Sequence, residues 1–119
     1  MLVTREQIRG FRLSGHHLDR RLPAGSLEKA AGACGVQNSP PGAWETALFL
    51  RVAGCTRGQL EDALYQDRSL LQAWSFRGVP TVFPTGDAGV FLTPLAALPG
   101  EEPWIYTRGV TAALDFVGV

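Results

Sequence analysis

The sequence lacks an apolar run of about 18 residues, the length that a membrane-spanning helix needs. Its N-terminus also lacks the basic-then-apolar layout of a secretory signal peptide. These absences favour a cytoplasmic protein with no membrane partner. Its two cysteines, Cys34 and Cys55, have no CxxC pattern or cluster of metal ligands around them. We therefore expect buried, reduced thiols, no metal and no other cofactor.

An excess of charge of one sign is absent too, because 11 Lys and Arg balance 11 Asp and Glu. Strong nonspecific DNA binding normally requires surplus cations, so the average composition argues against it. The two halves of the chain differ, however. Residues 1–59 carry eight cations against four anions, and residues 60–119 carry three against seven. An anionic partner would therefore meet the N-terminal half.

Two capping boxes predict helix starts. Residues 4–7 begin a helix expected to end near Leu13, and residues 56–59 begin another that ends near Tyr65. Between them, a helix rich in small residues is predicted at about 27–33, and Pro40 and Pro41 are expected to open a further helix. The positions predicted to face the core are Ile8, Phe11, Leu13, Trp44, Ala47, Leu48, Val52, Leu60, Ala63 and Leu64.

The later part of the chain predicts a β-hairpin. Two β-prone runs, 70–76 and 79–83, are separated by Arg77 and Gly78, and Pro80 is expected on an edge or at a bulge. Thr85 is expected to cap a helix towards Leu98 that Pro94 kinks or divides, and residues 110–117 predict a last short helix.

This order of elements favours a mainly α fold with a small β-hairpin. Packed helices followed by a hairpin are typical of a winged-helix domain, a variant of the helix-turn-helix. We assign residues 1–98 to this domain. Residues 99–119 are expected to be a C-terminal extension, the start of a truncated second unit.

A series of residues in matching order points to a known family. The matching positions are Arg12, residues 15–21, residues 34–37, Leu48, Arg51, Leu64 and residues 74–78. In this order they resemble the N-terminal part of the AlkZ-like, YcaQ-type winged-helix proteins. The resemblance covers about residues 5–98 and only the first portion of a full-length member. Characterised members are bacterial DNA glycosylases of tandem winged-helix architecture, which remove alkylated or crosslinked bases in DNA repair.

The resemblance implies a catalytic Gln-x-Gln or Gln-x-Asp motif, which maps onto Gln37 and Ser39 here. Hydrolysis of an N-glycosidic bond passes through a cationic sugar, so the site must orient water and stabilise positive charge. A glutamine amide oxygen does this more weakly than a carboxylate, and a serine hydroxyl is shorter and less basic. One hypothesis is therefore a monofunctional DNA glycosylase. The alternative is a DNA-binding or protein-interaction module that has lost this chemistry.

The residues interpreted as DNA contacts are Arg12, His16, His17, Arg20, Arg21, Arg77 and Thr81. Family members often carry Arg-Gly-Thr-Leu-His in the hairpin, and Thr81 stands at the histidine position here. His16 and His17 are adjacent and lack a nearby ligand cluster, which argues against a metal site. Each cation has a structural or solvated role as its alternative. The implied partner is double-stranded DNA, including damaged DNA, with self-association or docking onto missing winged-helix units as a further hypothesis.

Overall fold

The helices and strands below belong to a computed structural model that describes residues 1–102 and 105–118. The helices are α1 (Arg5–Gly15), α2 (Leu27–Gly32), α3 (Ala43–Arg51), α4 (Arg57–Glu61), α5 (Ala88–Leu92) and α6 (Ile105–Val117). The strands are β1 (Val36–Gln37), β2 (Leu70–Ser75) and β3 (Val79–Pro84). A π-helical turn, Asp62–Gln66, extends α4, and 3-10 turns lie at Phe76–Gly78, Thr85–Asp87 and Thr93–Leu95. Among the described residues, no helix is long and apolar enough to cross a membrane.

The sheet is antiparallel, with the strand order β1-β3-β2. The predicted hairpin is confirmed as β2 and β3, whereas β1 was not predicted, because two residues are too few to show strand periodicity. Gln37 therefore lies on a strand, between α2 and α3. Since β1 pairs with β3, Pro80 belongs to the central strand, and its predicted edge position is wrong. Its carbonyl accepts a hydrogen bond from the Asn38 N–H at 2.8 Å, but a proline has no N–H with which to return one, and β1 ends at Gln37, one residue before this point.

Each face of the sheet carries its own apolar cluster. One face packs on α2, α3 and α4, with Val36, Leu70 and Val82 contributed by the strands. The other face packs on α5 and α6 through Phe83, whose ring stacks on Phe91 at 4.6 Å between centroids. Both sides of β3 are covered, which explains why its last four residues are all buried instead of alternating.

Helix α1 shows the largest departure from the predicted core. Its capping box forms as predicted, with the Thr4 hydroxyl accepting from the Gln7 N–H and the Gln7 amide accepting from the Thr4 N–H. No residue of α1 is buried, however, and Phe11 is 82% exposed. The prediction that Ile8, Phe11 and Leu13 face the core is therefore wrong. Helical spacing shows that an apolar face exists, but it does not show whether another element covers that face.

The inward positions predicted for α3 and α4 are confirmed, since Trp44, Leu48, Val52, Leu60 and Ala63 are buried. Helix α3 begins at Ala43, after Gly42 in the left-handed region, so the two prolines precede the helix instead of opening it. The second capping box is also present.

After the hairpin, the helix predicted to run towards Leu98 is divided at Pro94, and α5 ends at Leu92. The Thr85 hydroxyl donates to the Arg68 carbonyl and does not cap a helix. Helix α6 begins earlier than predicted and packs on α5 and β2, with Val110 in the second apolar cluster. Its assignment to a second unit stays a prediction.

The prediction that both cysteines are buried is wrong for Cys34, which is exposed, while Cys55 is partly buried. Both are free thiols. Cys34 lies in the turn between α2 and β1, where Gly35 takes a positive φ of 73° and carries the chain into the sheet.

Candidate functional site

Gln37 lies on the outer strand of the sheet. Val36 is buried and Gln37 is exposed, as expected for neighbouring residues that point to opposite faces of a strand. Gln37 pairs with Thr81 on β3. Within the described part of the chain, its side-chain amide makes no hydrogen bond. Both ends of this amide are therefore free to bind water or a ligand.

Asn38, the next residue, is held by three hydrogen bonds. Its Oδ1 accepts from the Gly42 N–H at 2.7 Å, its Nδ2 donates to Gln72 Oε1 at 2.7 Å, and its backbone N–H donates to the Pro80 carbonyl at 2.8 Å. The Gly42 N–H requires an acceptor, which fixes the orientation of the Asn38 amide. Asn38 thus joins β1 to β2, to β3 and to the start of α3, and it holds Gln37 and Ser39 in place on either side.

Ser39 and Arg77 lie at the same end of the sheet. Strand β1 is antiparallel to β3, so the chain after Gln37 runs towards the hairpin turn that contains Arg77. Ser39 is exposed, and Arg77 is exposed with a positive φ of 68°. The structure therefore brings Gln37, Ser39 and Arg77 to one edge of the domain.

Thr81 supports this edge from inside. It is only 1% exposed, and its hydroxyl donates to the Val79 carbonyl at 3.2 Å. Its methyl group packs closely under Gly35, where an added Cβ would lie 2.6 Å from Thr81 Cγ2 and 2.9 Å from Phe91 Cε1. Thr81 fixes the path of β1, and its hydroxyl is not presented at the surface.

The loop after α1 approaches the other end of β1. His16 Nδ1 lies 3.5 Å from Cys34 Sγ, and the His16 carbonyl accepts a hydrogen bond from Arg51 Nε at 2.9 Å. The end of the loop is anchored on α3 by an isolated bridge between Leu22 and Val52. The loop is thus attached both to the α3 C-terminus and to the turn before β1.

This loop and α2 enclose an open cleft of about 370 Å³, here called the basic cleft. Its polar and charged lining residues are Ser14, His17, Asp19, Arg20, Arg21 and Lys29. Three of the predicted DNA contacts therefore meet in one cleft. Arg12 does not join them, because it lies on exposed α1 beside Phe11 and Ile8.

Sequence reasoning missed two residues of this region. The family motif leaves Asn38 as its unspecified middle position, although an Asn next to Ser-Pro-Pro is itself a turn signal. Lys29, the only lysine in the chain, carries no signal in its local sequence, and only the packing of α2 beside the loop places it in the basic cleft. Among the described residues, no group of three or more His, Cys, Asp or Glu side chains could hold a metal ion.

A family model described as DNA glycosylase AlkZ-like matches residues 30–115. The chain belongs to the AlkZ-like DNA glycosylase family. The predicted family is thus confirmed, but the match covers residues 30–115 and not the expected 5–98. It includes Gln37, Ser39, the hairpin and α6 as far as residue 115. It does not include α1 or the loop with His16 to Arg21.

A solved relative gives the same assignment. The chain is similar to Streptomyces sahachiroi DNA glycosylase AlkZ, with 27% sequence identity and a TM-score of 0.63. The similarity covers 77% of this chain and 24% of that protein, so the chain spans about a quarter of the length of this AlkZ-like relative. Comparison with curated proteins gave no match.

Proposed function

We propose that this chain is a winged-helix DNA-binding domain of a DNA glycosylase, and that it presents Gln37 to double-stranded DNA. The observation that carries this proposal is the exposed, unbonded amide of Gln37 on a strand that Asn38 and Gly35 hold in one position. In this assignment the β2–β3 hairpin is the wing, and the preceding helices supply the helix-turn-helix part.

Polar and charged side chains lie beyond both ends of β1. Arg77 lies at the hairpin end, and the loop with His16 lies at the Cys34 end. Cys34 precedes Gln37 by three residues, a span of at most about 10 Å in an extended chain. Nucleotides rise about 3.4 Å each along a DNA strand, so the loop and Gln37 would meet positions no more than about three nucleotides apart. The arrangement suits a strand that passes along the edge of the sheet.

Hydrolysis at this edge would depend on Gln37. With the target base extruded from the duplex, the Gln37 amide oxygen would accept a hydrogen bond from the attacking water, and its dipole would favour the cationic sugar. The Ser39 hydroxyl is exposed and would hold the water from the other side of Asn38. Neither group has the charge of a carboxylate, so we propose slow hydrolysis of the N-glycosidic bonds that hold alkylated or crosslinked bases. A binding domain without this chemistry is the alternative.

The experiment measures abasic sites in duplex DNA that carries N7-alkylated guanine. Wild-type protein should produce more abasic sites than Gln37→Ala, while Gln66→Ala, which removes an exposed amide from the turn after α4, should retain wild-type activity. Equal signals from wild type and Gln37→Ala would exclude hydrolysis through Gln37.

DNA binding is measured separately by fluorescence anisotropy. If phosphate contacts carry the binding, affinity for the duplex should fall steeply with salt. Weak binding that does not change with salt would exclude the DNA-binding function itself.

A protein-interaction role has its own observation, the uncovered apolar face of α1. Val3, Ile8 and Phe11 line an open apolar surface there, and α1 contains no buried residue. We propose self-association of two copies through this face as the second candidate function. Sedimentation velocity at several concentrations should show a dimer that Phe11→Ser abolishes. A monomer at every concentration would exclude it.

A further inference from the structure

We propose that the basic cleft binds one phosphate group of the DNA backbone, and that this contact sets which nucleotide lies opposite Gln37. The inference rests on the DNA-binding function proposed above. It extends the site to Lys29 and Ser14, which lie on α2 and α1.

The charge of the basic cleft is the first reason. Arg20, Arg21 and Lys29 are cations, and among the residues that the structure describes Asp19 is the only acidic one that lines the cleft. Asp19 Oδ1 accepts from the Arg20 backbone N–H at 2.9 Å, so this carboxylate is engaged with the loop itself. Within residues 1–102 and 105–118, none of the three cations takes part in a salt bridge. Unpaired cations gathered around a concave surface repel one another and attract an anion.

The second reason is that the cleft is formed before any ligand binds. The His17 N–H donates to the Ser14 carbonyl at 3.0 Å, and the Leu22 N–H donates to the Arg51 carbonyl at 2.7 Å. Lys29 lies on α2 beside Ala30 and Ala31, which are buried in the first apolar cluster. The loop and α2 are therefore both attached to the rest of the domain, so the backbone that carries the cations needs little ordering when a ligand enters.

The chemistry of the lining indicates the class of ligand. Guanidinium groups donate two parallel N–H bonds to a phosphate, and a lysine adds a compact charge. The oxygens of a DNA phosphodiester and of a free phosphate meet the same donors. Helix α2 leads directly through Cys34 into β1, so a phosphate held by Lys29 would position the DNA strand relative to Gln37.

The test is an NMR titration of backbone amide signals, first with inorganic phosphate and then with a short DNA duplex at low salt. The amides of Ser14, His17 and Lys29 should shift most, and the amide of Arg9 on exposed α1 is the reference. Shifts of equal size at Arg9, or no shift with either ligand, would overturn the proposal that the basic cleft binds a phosphate group. Shifts with phosphate alone would support the cleft as a site for free phosphate and would contradict the DNA-binding function on which the wider proposal rests.

A second measurement uses the salt dependence of duplex binding. Lys29→Gln should weaken binding at low salt about five- to tenfold and reduce the slope of log K against log salt by about 1. Arg68→Gln is the control, because it also removes one exposed cation but lies just before β2, where its guanidinium packs over the Phe116 ring. An equal effect from the two variants would show that only overall charge matters, and it would overturn the specific phosphate contact.

Discussion

Replacing Asn38 by alanine should destabilise the domain more than replacing either neighbour. The substitution removes the hydrogen bonds to the Gly42 N–H and to Gln72 Oε1, both 2.7 Å long, and leaves the backbone bond to Pro80. A net contribution of about 1 kcal/mol for each bond gives a loss of about 2 kcal/mol in the free energy of unfolding. For a chain of 119 residues, this loss lowers Tm by about 8 °C, since the entropy of unfolding is about 2.1 cal/mol/K per residue.

Urea denaturation followed by circular dichroism measures this loss. Ser39→Ala is the matched control, because Ser39 is exposed and makes no side-chain hydrogen bond within the described residues. It should change stability by about 0.5 kcal/mol or less. Asn38→Asp keeps the acceptor for Gly42 but loses the donor to Gln72, so its loss should fall between those of the other two variants. If Asn38→Ala is no less stable than Ser39→Ala, the role assigned to Asn38 is refuted.

Four further predictions concern close packing at Gly35, a buried hydrogen bond and the two thiols. Gly35→Ala should lower the free energy of unfolding by about 2–5 kcal/mol, because its φ is 73° and the new Cβ would lie 2.6 Å from a side-chain carbon of β3. Gly25→Ala is the control, since its φ of 83° is similar but a new Cβ there would meet no atom of another segment within 4 Å. In the same denaturation assay it should cost only about 1–2 kcal/mol. Ser75→Ala removes a buried hydroxyl that donates to the Phe91 carbonyl at 2.8 Å, so it should cost about 1–3 kcal/mol by thermal unfolding, and an unchanged Tm would contradict this bond. Burial raises the pKa of the Cys55 thiol, so iodoacetamide at mildly alkaline pH should modify exposed Cys34 first, as mass spectrometry of the folded protein can show. Because folding favours the neutral Cys55 thiol, the free energy of unfolding should fall as the pH rises above the pKa of the thiol in the unfolded chain. The Cys55→Ala variant should not show this fall.

The helices and the hairpin could be predicted because their signals are local. A capping box places a hydroxyl and an amide within three residues of each other, and both boxes, at Thr4 and at Thr56, form as expected. Pro94 divides its helix because a proline lacks the N–H that the preceding turn requires. The family could be identified for a similar reason, since the order of residues around Gln37 and Arg77 is itself a property of the sequence.

The exposure of α1 and the pairing of β1 could not be predicted in this way. The apolar spacing of α1 is the same whether or not another surface covers it, so only the packing shows that Phe11 is exposed. Strand β1 exists because β3 offers a partner from more than forty residues away, and its two residues carry no periodic signal of their own.

The sequence alone determined the capped helices, the hairpin and the AlkZ-like family, because each depends on neighbouring residues or on their order. The tertiary structure decided which side chains act together. It buried Thr81 beneath Gly35, made Asn38 the residue that fixes the motif, and brought Lys29 beside Arg20 and Arg21. The physical reason is that burial and cationic clustering depend on contacts between segments distant in the chain, and the packed fold alone creates those contacts.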